Sequence, residues 1–133
     1  MSHAFALLVL RPGEDVETIM NRWSWRHKDG FWRRWCIGGG RCAGSLNLKD
    51  GSRTEPNAFF DHFVWEEEEI DELKKKLPRA SDSGFKGDID NLEELNFEFI
   101  ITKDQFIEPV GPFYPYIKDL PEDVELICID MRY

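Results

Sequence analysis

The chain has 133 residues, 41% of them hydrophobic and 32% charged. That is enough for one domain spanning 1–133, burying about two-thirds of its unfolded surface. No apolar run approaches the roughly 20 residues of a membrane-spanning helix, which excludes a helical bilayer protein. The net charge of −9 is unevenly spread: residues 1–54 carry nine Lys/Arg against five Asp/Glu, and residues 55–133 carry eight against twenty-one. An acidic body repels phosphate over about 8 to 10 Å. Direct nucleic-acid binding is therefore not expected, and only the Arg/Trp segment of residues 22–41 could meet a polyanion.

Ala4 to Leu10 is apolar, but no Lys or Arg precedes it and Arg11-Pro12 cut it short. It reads as a buried strand rather than a signal peptide, and the continuous pattern of Phe5 to Leu10 predicts a central strand covered on both faces. Pro12-Gly13 marks a turn. Val16, Ile19, Met20 and Trp23 then recur at helical spacing behind an acidic first turn, which predicts a helix with those four on its core face. Trp25 falls off that stripe, so its ring either faces solvent or is covered by another element.

Residues 22–41 hold four of the five tryptophans, five arginines and the triple glycine Gly38-Gly39-Gly40. Glycine N–H groups in succession can form an anion-binding nest, and Arg33, Arg34 and Arg41 could clamp phosphate oxygens. No Gly-Lys-Ser/Thr follows, and the Ser-Leu-Asn-Leu after the glycines looks like strand where a dinucleotide fingerprint needs a helix. A bulge that lets Trp32 or Trp35 cross the backbone is the plainer reading of the glycines. Trp25, Trp32 and Trp35 among arginines fit three arrangements: structural stacking, stacking on a base, or the centre of a protein–protein contact. The candidate ligand- or partner-binding set is thus Trp25, Trp32, Arg33, Arg34, Trp35, Gly38, Gly39, Gly40 and Arg41.

Arg41 to Lys49 reads as a strand ended by the Asp50-Gly51 turn. Phe63, Ile70, Leu73 and Leu77 share a helical face, with Glu66 to Glu69 in the first turn, Lys74 to Lys76 in the last and Pro78 beyond. These charges suit the helix dipole and describe a solvated face. Residues 79–91 have the composition of a polar, mobile loop. Phe97, Phe99 and Ile101 alternate with polar residues before Lys103-Asp104, which predicts a hairpin, and four prolines make 109–121 a rigid aromatic loop. Val124 to Met131 closes the chain as a second apolar strand, with Asp130 as its one acid. Together these elements predict an α+β fold: a mostly antiparallel sheet of four to five strands with two helices on one face, the ferredoxin-like arrangement being one form of it.

Cys36, Cys42 and Cys128 are odd in number and lack C-x-x-C spacing, against a disulfide framework or common zinc site and in favour of a reducing cytoplasm. Neither their spacing from His27 and His62, nor Asp61-His62, nor Asp130 composes a catalytic or metal set; Asp61 suits a helix cap and Asp130 an edge position. No cofactor, metal or catalytic residue is assigned.

The segment Trp32-Arg-Arg-Trp35-Cys-Ile37-Gly38-Gly39-Gly40-Arg41 resembles the tryptophan-rich Ile-Gly-Gly-Arg signature of a group of small uncharacterised bacterial and phage proteins. The similarity extends to Ile101-Thr-Lys-Asp104 and to Leu120-Pro-Glu-Asp123 and the strand ending at Asp130. This chain has an extra glycine before the arginine, and Cys42 where the group tends to have an aromatic residue. The resemblance implies a small phage or bacterial accessory protein, working in the host cytoplasm if phage-encoded. Charge segregation and size predict a non-enzymatic acidic binding protein that engages or inhibits a host macromolecule, by the acidic face of 55–133 or by the Trp/Arg edge. The alternative is a nucleotide- or phosphate-binding protein that uses the Arg/Trp/Gly segment.

Overall fold

The computed structural model describes residues 3–37, 44–54 and 82–133. Its spine is the closing strand. We number the strands β1 (His3–Leu10), β2 (Arg34–Ile37), β3 (Ser83–Phe85), β4 (Phe99–Ile101), β5 (Phe106–Ile107) and β6 (Glu125–Arg132), with one helix, α1 (Val16–Arg22). They form a single sheet in the order β2-β6-β1-β4-β5, in which β3 also pairs with β6.

Strand β6 is antiparallel to β1 along its whole length, from His3 opposite Arg132 to Leu10 opposite Glu125. Along its other side it takes β2 first, with Cys36 opposite Asp130, and then β3, with Gly84 opposite Leu126. Strand β1 pairs in parallel with β4, Leu7 opposite Ile100, and β4 turns back into β5 as the expected hairpin. Both β1 and β6 thus have neighbours on both sides, as their continuous apolar runs require. Alternate residues feed two cores. Ala4, Ala6, Leu8, Ile127, Ile129 and Met131 meet α1 through Ile19 and Met20 together with Trp23, Trp32 and Trp35. Leu7, Val9, Leu126 and Cys128 meet Leu46, Ile89, Leu95, Phe97, Phe113 and Ile117 on the opposite face.

Two helices on one face of a mostly antiparallel sheet are therefore not what is found. The sheet is mixed, because β1 and β4 run parallel, and α1 is the one α-helix among the described residues. Irregular chain and short 3₁₀ turns at Lys86–Asp88, Leu92–Glu94 and Tyr114–Tyr116 cover the second face instead. The helix expected around Phe63 to Leu77 lies outside the described residues.

Three local expectations are also corrected. A strand that the sequence did not indicate runs at Arg34–Ile37, where Trp35 and Ile37 are buried. Of the strand expected at 41–49, residues 44–49 make only isolated bridges, because the Asn91 side chain takes their backbone groups: Asn47 N–H donates to Asn91 Oδ1 (2.8 Å), and Asn91 Nδ2 donates to the Ser45 carbonyl (2.8 Å). The polar loop of 79–91, in its described part, contains β3 and the buried residues Asp82, Lys86 and Ile89. Asp130 belongs to an interior strand rather than an edge.

The two turn signals hold. Gly13 has φ +84°, and Glu14 N–H donates to the Arg11 carbonyl (3.0 Å), closing the Pro12-Gly13 turn. Gly51 has φ +91° after Asp50, a conformation glycine adopts at no steric cost.

Candidate functional site

The tryptophan-rich segment leaves α1 at Trp23, whose ring is buried and whose indole N–H donates to the Thr102 carbonyl (3.1 Å). A tight loop of residues 23–32 follows. The Trp23 carbonyl accepts from Phe31 N–H (2.7 Å) and Trp32 N–H (3.3 Å), Trp25 N–H donates to the Trp32 carbonyl (2.8 Å), and Ser24 and Trp32 bridge in parallel. The loop closes only because residue 30 is glycine: a Cβ there would stand 1.7 Å from the Ser24 carbonyl oxygen.

The candidate residues separate sharply in this frame. Trp32 and Trp35 are 1% and 0% exposed, and their rings meet edge-on at 6.4 Å. The Trp32 indole N–H donates to the Met20 carbonyl at the end of α1. Neither ring can stack on a base or meet a partner, so both belong to the architecture, and the expectation of an outward cluster of indoles is reduced to one residue. Trp25 alone of the four is displayed, 44% exposed.

Trp25 is flanked by cations. The Arg33 guanidinium lies 4.9 Å from the centre of its ring and that of Arg26 5.8 Å. Arg33, Arg26 and Lys28 are exposed, and Arg22, also exposed, lies 4.2 Å over the Trp23 ring. Arg33 is anchored by its backbone N–H to the Arg132 carbonyl (2.7 Å), which leaves its side chain to Trp25 and solvent. Arg34 starts β2 opposite Arg132 and is half-buried. Gly38, Gly39, Gly40 and Arg41, the expected anion cradle, lie outside the described residues. The arrangement presents a flat, apolar ring rimmed by fixed positive charge on a loop that cannot sag.

Two polar features escaped the sequence. His3 Nδ1 lies 3.0 Å from a carboxylate oxygen of Asp130, itself buried in the sheet. They are 127 positions apart, and only the β1–β6 pairing joins them. Lys86 is 5% exposed; its ammonium donates to the carbonyls of Lys118 (2.7 Å) and Leu120 (2.6 Å), with Glu122 at 3.9 Å. Its position in a polar stretch carries no signal of such burial. Cys36 and Cys128 are both buried thiols, while Cys42 and His62 lie outside the described residues.

Among the described residues no helix is long and apolar enough to cross a membrane. Compared with protein-family models, with curated proteins and with solved structures, the chain matches none of them.

Proposed function

We propose that the chain is a non-enzymatic binding protein that engages an acidic surface of a protein partner through Trp25, with Arg33 and Arg26 as its charged rim. In this reading it is an accessory protein of the phage or bacterial kind that its tryptophan-rich signature implies. The observation that carries the proposal is the contrast within one segment: three indoles are locked in the core, while the fourth stands exposed with guanidinium groups 4.9 and 5.8 Å from its ring centre. Tryptophan and arginine are the side chains most enriched where binding energy concentrates. A loop already closed by its own backbone hydrogen bonds loses little freedom on binding, so more of the contact energy appears as affinity. A basic edge on an acidic body also orients an approaching acidic partner and speeds encounter at low salt.

The test is capture of partners from bacterial lysate at low salt on immobilised wild-type protein and on Trp25→Ala. A partner retained by the first, lost by the second and released by added salt supports the proposal. Truncation of a contact of this type costs about 2 kcal/mol or more, roughly thirtyfold in affinity. Capture that is identical with both proteins, or indifferent to salt, rejects it.

A further inference from the structure

A second site of opposite chemistry lies at one end of the sheet, beside the loop of residues 23–32. The starts of β1 and β4 and the ends of β5 and β6 meet around a cleft of about 610 Å³, lined by Phe5, Phe97, Phe99, Tyr133, Glu98 and Glu108 together with Ser45, Asn96 and Pro109. That volume falls within the roughly 300 to 1,000 Å³ typical of small-ligand sites. Its aromatic residues come from both faces of the sheet, Phe5 and Phe97 from the second core and Phe99 from the first, and ring contacts fix them. Phe97 packs on Phe113 at 5.8 Å, Phe99 on Phe31 at 4.9 Å and on Phe106 at 5.0 Å, and Tyr133 on Phe31 at 4.6 Å. Backbone pairing holds the rim, since Glu98 N–H donates to the Phe5 carbonyl (2.9 Å).

The two acids decide the ligand chemistry. Glu98 and Glu108 are exposed, and among the described residues neither carboxylate has an ion pair or side-chain hydrogen bond. No Lys or Arg lines the cleft among the described residues. Two carboxylates beside aromatic rings attract a cation twice over, by charge and by the electron-rich ring faces. The Asn96 amide oxygen can accept a further N–H group. We infer that this cleft binds a small organic cation bearing an ammonium or guanidinium group. Trp25 is not among the residues that line the cleft.

Isothermal titration calorimetry with agmatine, against butylurea as its uncharged counterpart, tests this on the full chain. Agmatine saturates the wild-type protein at one equivalent and butylurea does not. The double variant Glu98→Gln, Glu108→Gln weakens agmatine about tenfold or more. Two controls keep their wild-type affinity: Trp25→Ala, which separates this site from the partner surface, and Glu93→Gln with Asp119→Asn, which removes equal charge elsewhere. No saturable binding up to about 10 mM, equal binding of butylurea, or equal losses in the two charge-removing variants overturns the inference.

Discussion

The backbone N–H of Trp25 donates to the carbonyl of Trp32 at 2.8 Å, so the most exposed tryptophan described is tied to one of the most buried. Trp32 is fixed in turn by its indole N–H on the Met20 carbonyl. The backbone that carries the displayed ring is thus tied to the core, which lowers the ordering cost of the loop on binding.

Trp25→Ala leaves stability within about 0.5 kcal/mol of wild type, because a surface ring contributes little to folding. Trp35→Ala costs about 3 to 5 kcal/mol through the cavity it opens. Urea denaturation of both variants checks the contrast. Iodide quenching adds a direct reading of exposure: Trp25→Phe removes an accessible, red-shifted component from the emission spectrum.

Gly30→Ala destabilises the chain by about 3 kcal/mol or more, since backbone must move to admit the new methyl group. The collision is with the Ser24 carbonyl, at 1.7 Å, rather than with a side chain that could swing away. The same variant loosens Trp25, so its emission becomes more heterogeneous even where the protein stays folded. Thermal melting and fluorescence lifetimes measure the two effects separately.

Lys86→Met costs about 2 to 4 kcal/mol, because two carbonyls lose the ammonium that satisfies them. Lys118 and Leu120 supply those carbonyls, so the substitution also frees the segment after the Tyr114–Tyr116 turn. Amide hydrogen exchange shows faster exchange near Ile117 to Leu120, and chemical denaturation gives the loss of stability.

The Asp50 carboxyl is held below its ordinary range by the Ser52 hydroxyl first and the Ser52 backbone N–H second. A lowered folded value means that this contribution is present above the ordinary carboxylate pKa and is lost as pH falls through the lowered one. The group is fully exposed, so the effect is local to the turn. Ser52→Ala removes the larger cause and raises the Asp50 pKa toward its ordinary value, which an NMR titration of the side-chain carboxyl records. An unchanged titration would show that the hydroxyl does not hold the charge.

Legibility in the sequence follows the range of the interactions. The helix stripe of Val16, Ile19 and Met20 and the Phe5 to Leu10 run are local periodicities, and α1 and β1 appear where they indicate. The hairpin of Phe99–Ile101 with Phe106–Ile107 is equally local. The strand at Arg34–Ile37 was hidden because Arg34-Trp35-Cys36-Ile37 has no clean alternation, and burial of Trp35 and Ile37 against β6 decides it. Arg41 to Lys49 carries the better strand pattern, yet the Asn91 side chain claims the backbone groups of Ser45 and Asn47.

The candidate site divides in the same way. Density of Trp and Arg singled out the segment 22–41, and the position of Trp25 off the helix stripe left its exposure open. Nothing local distinguishes Trp25 from Trp32 and Trp35, since all three sit among arginines. Composition and periodicity determined the charge asymmetry, the two long apolar strands, α1 and the turns, because each depends on residues within a few positions of one another. Tertiary structure alone decided the mixed sheet order, the pairing of His3 with Asp130, the burial of Lys86, and which indole faces outward. Each of these depends on partners brought together from distant parts of the chain, and their identity is set by packing rather than by neighbouring residues.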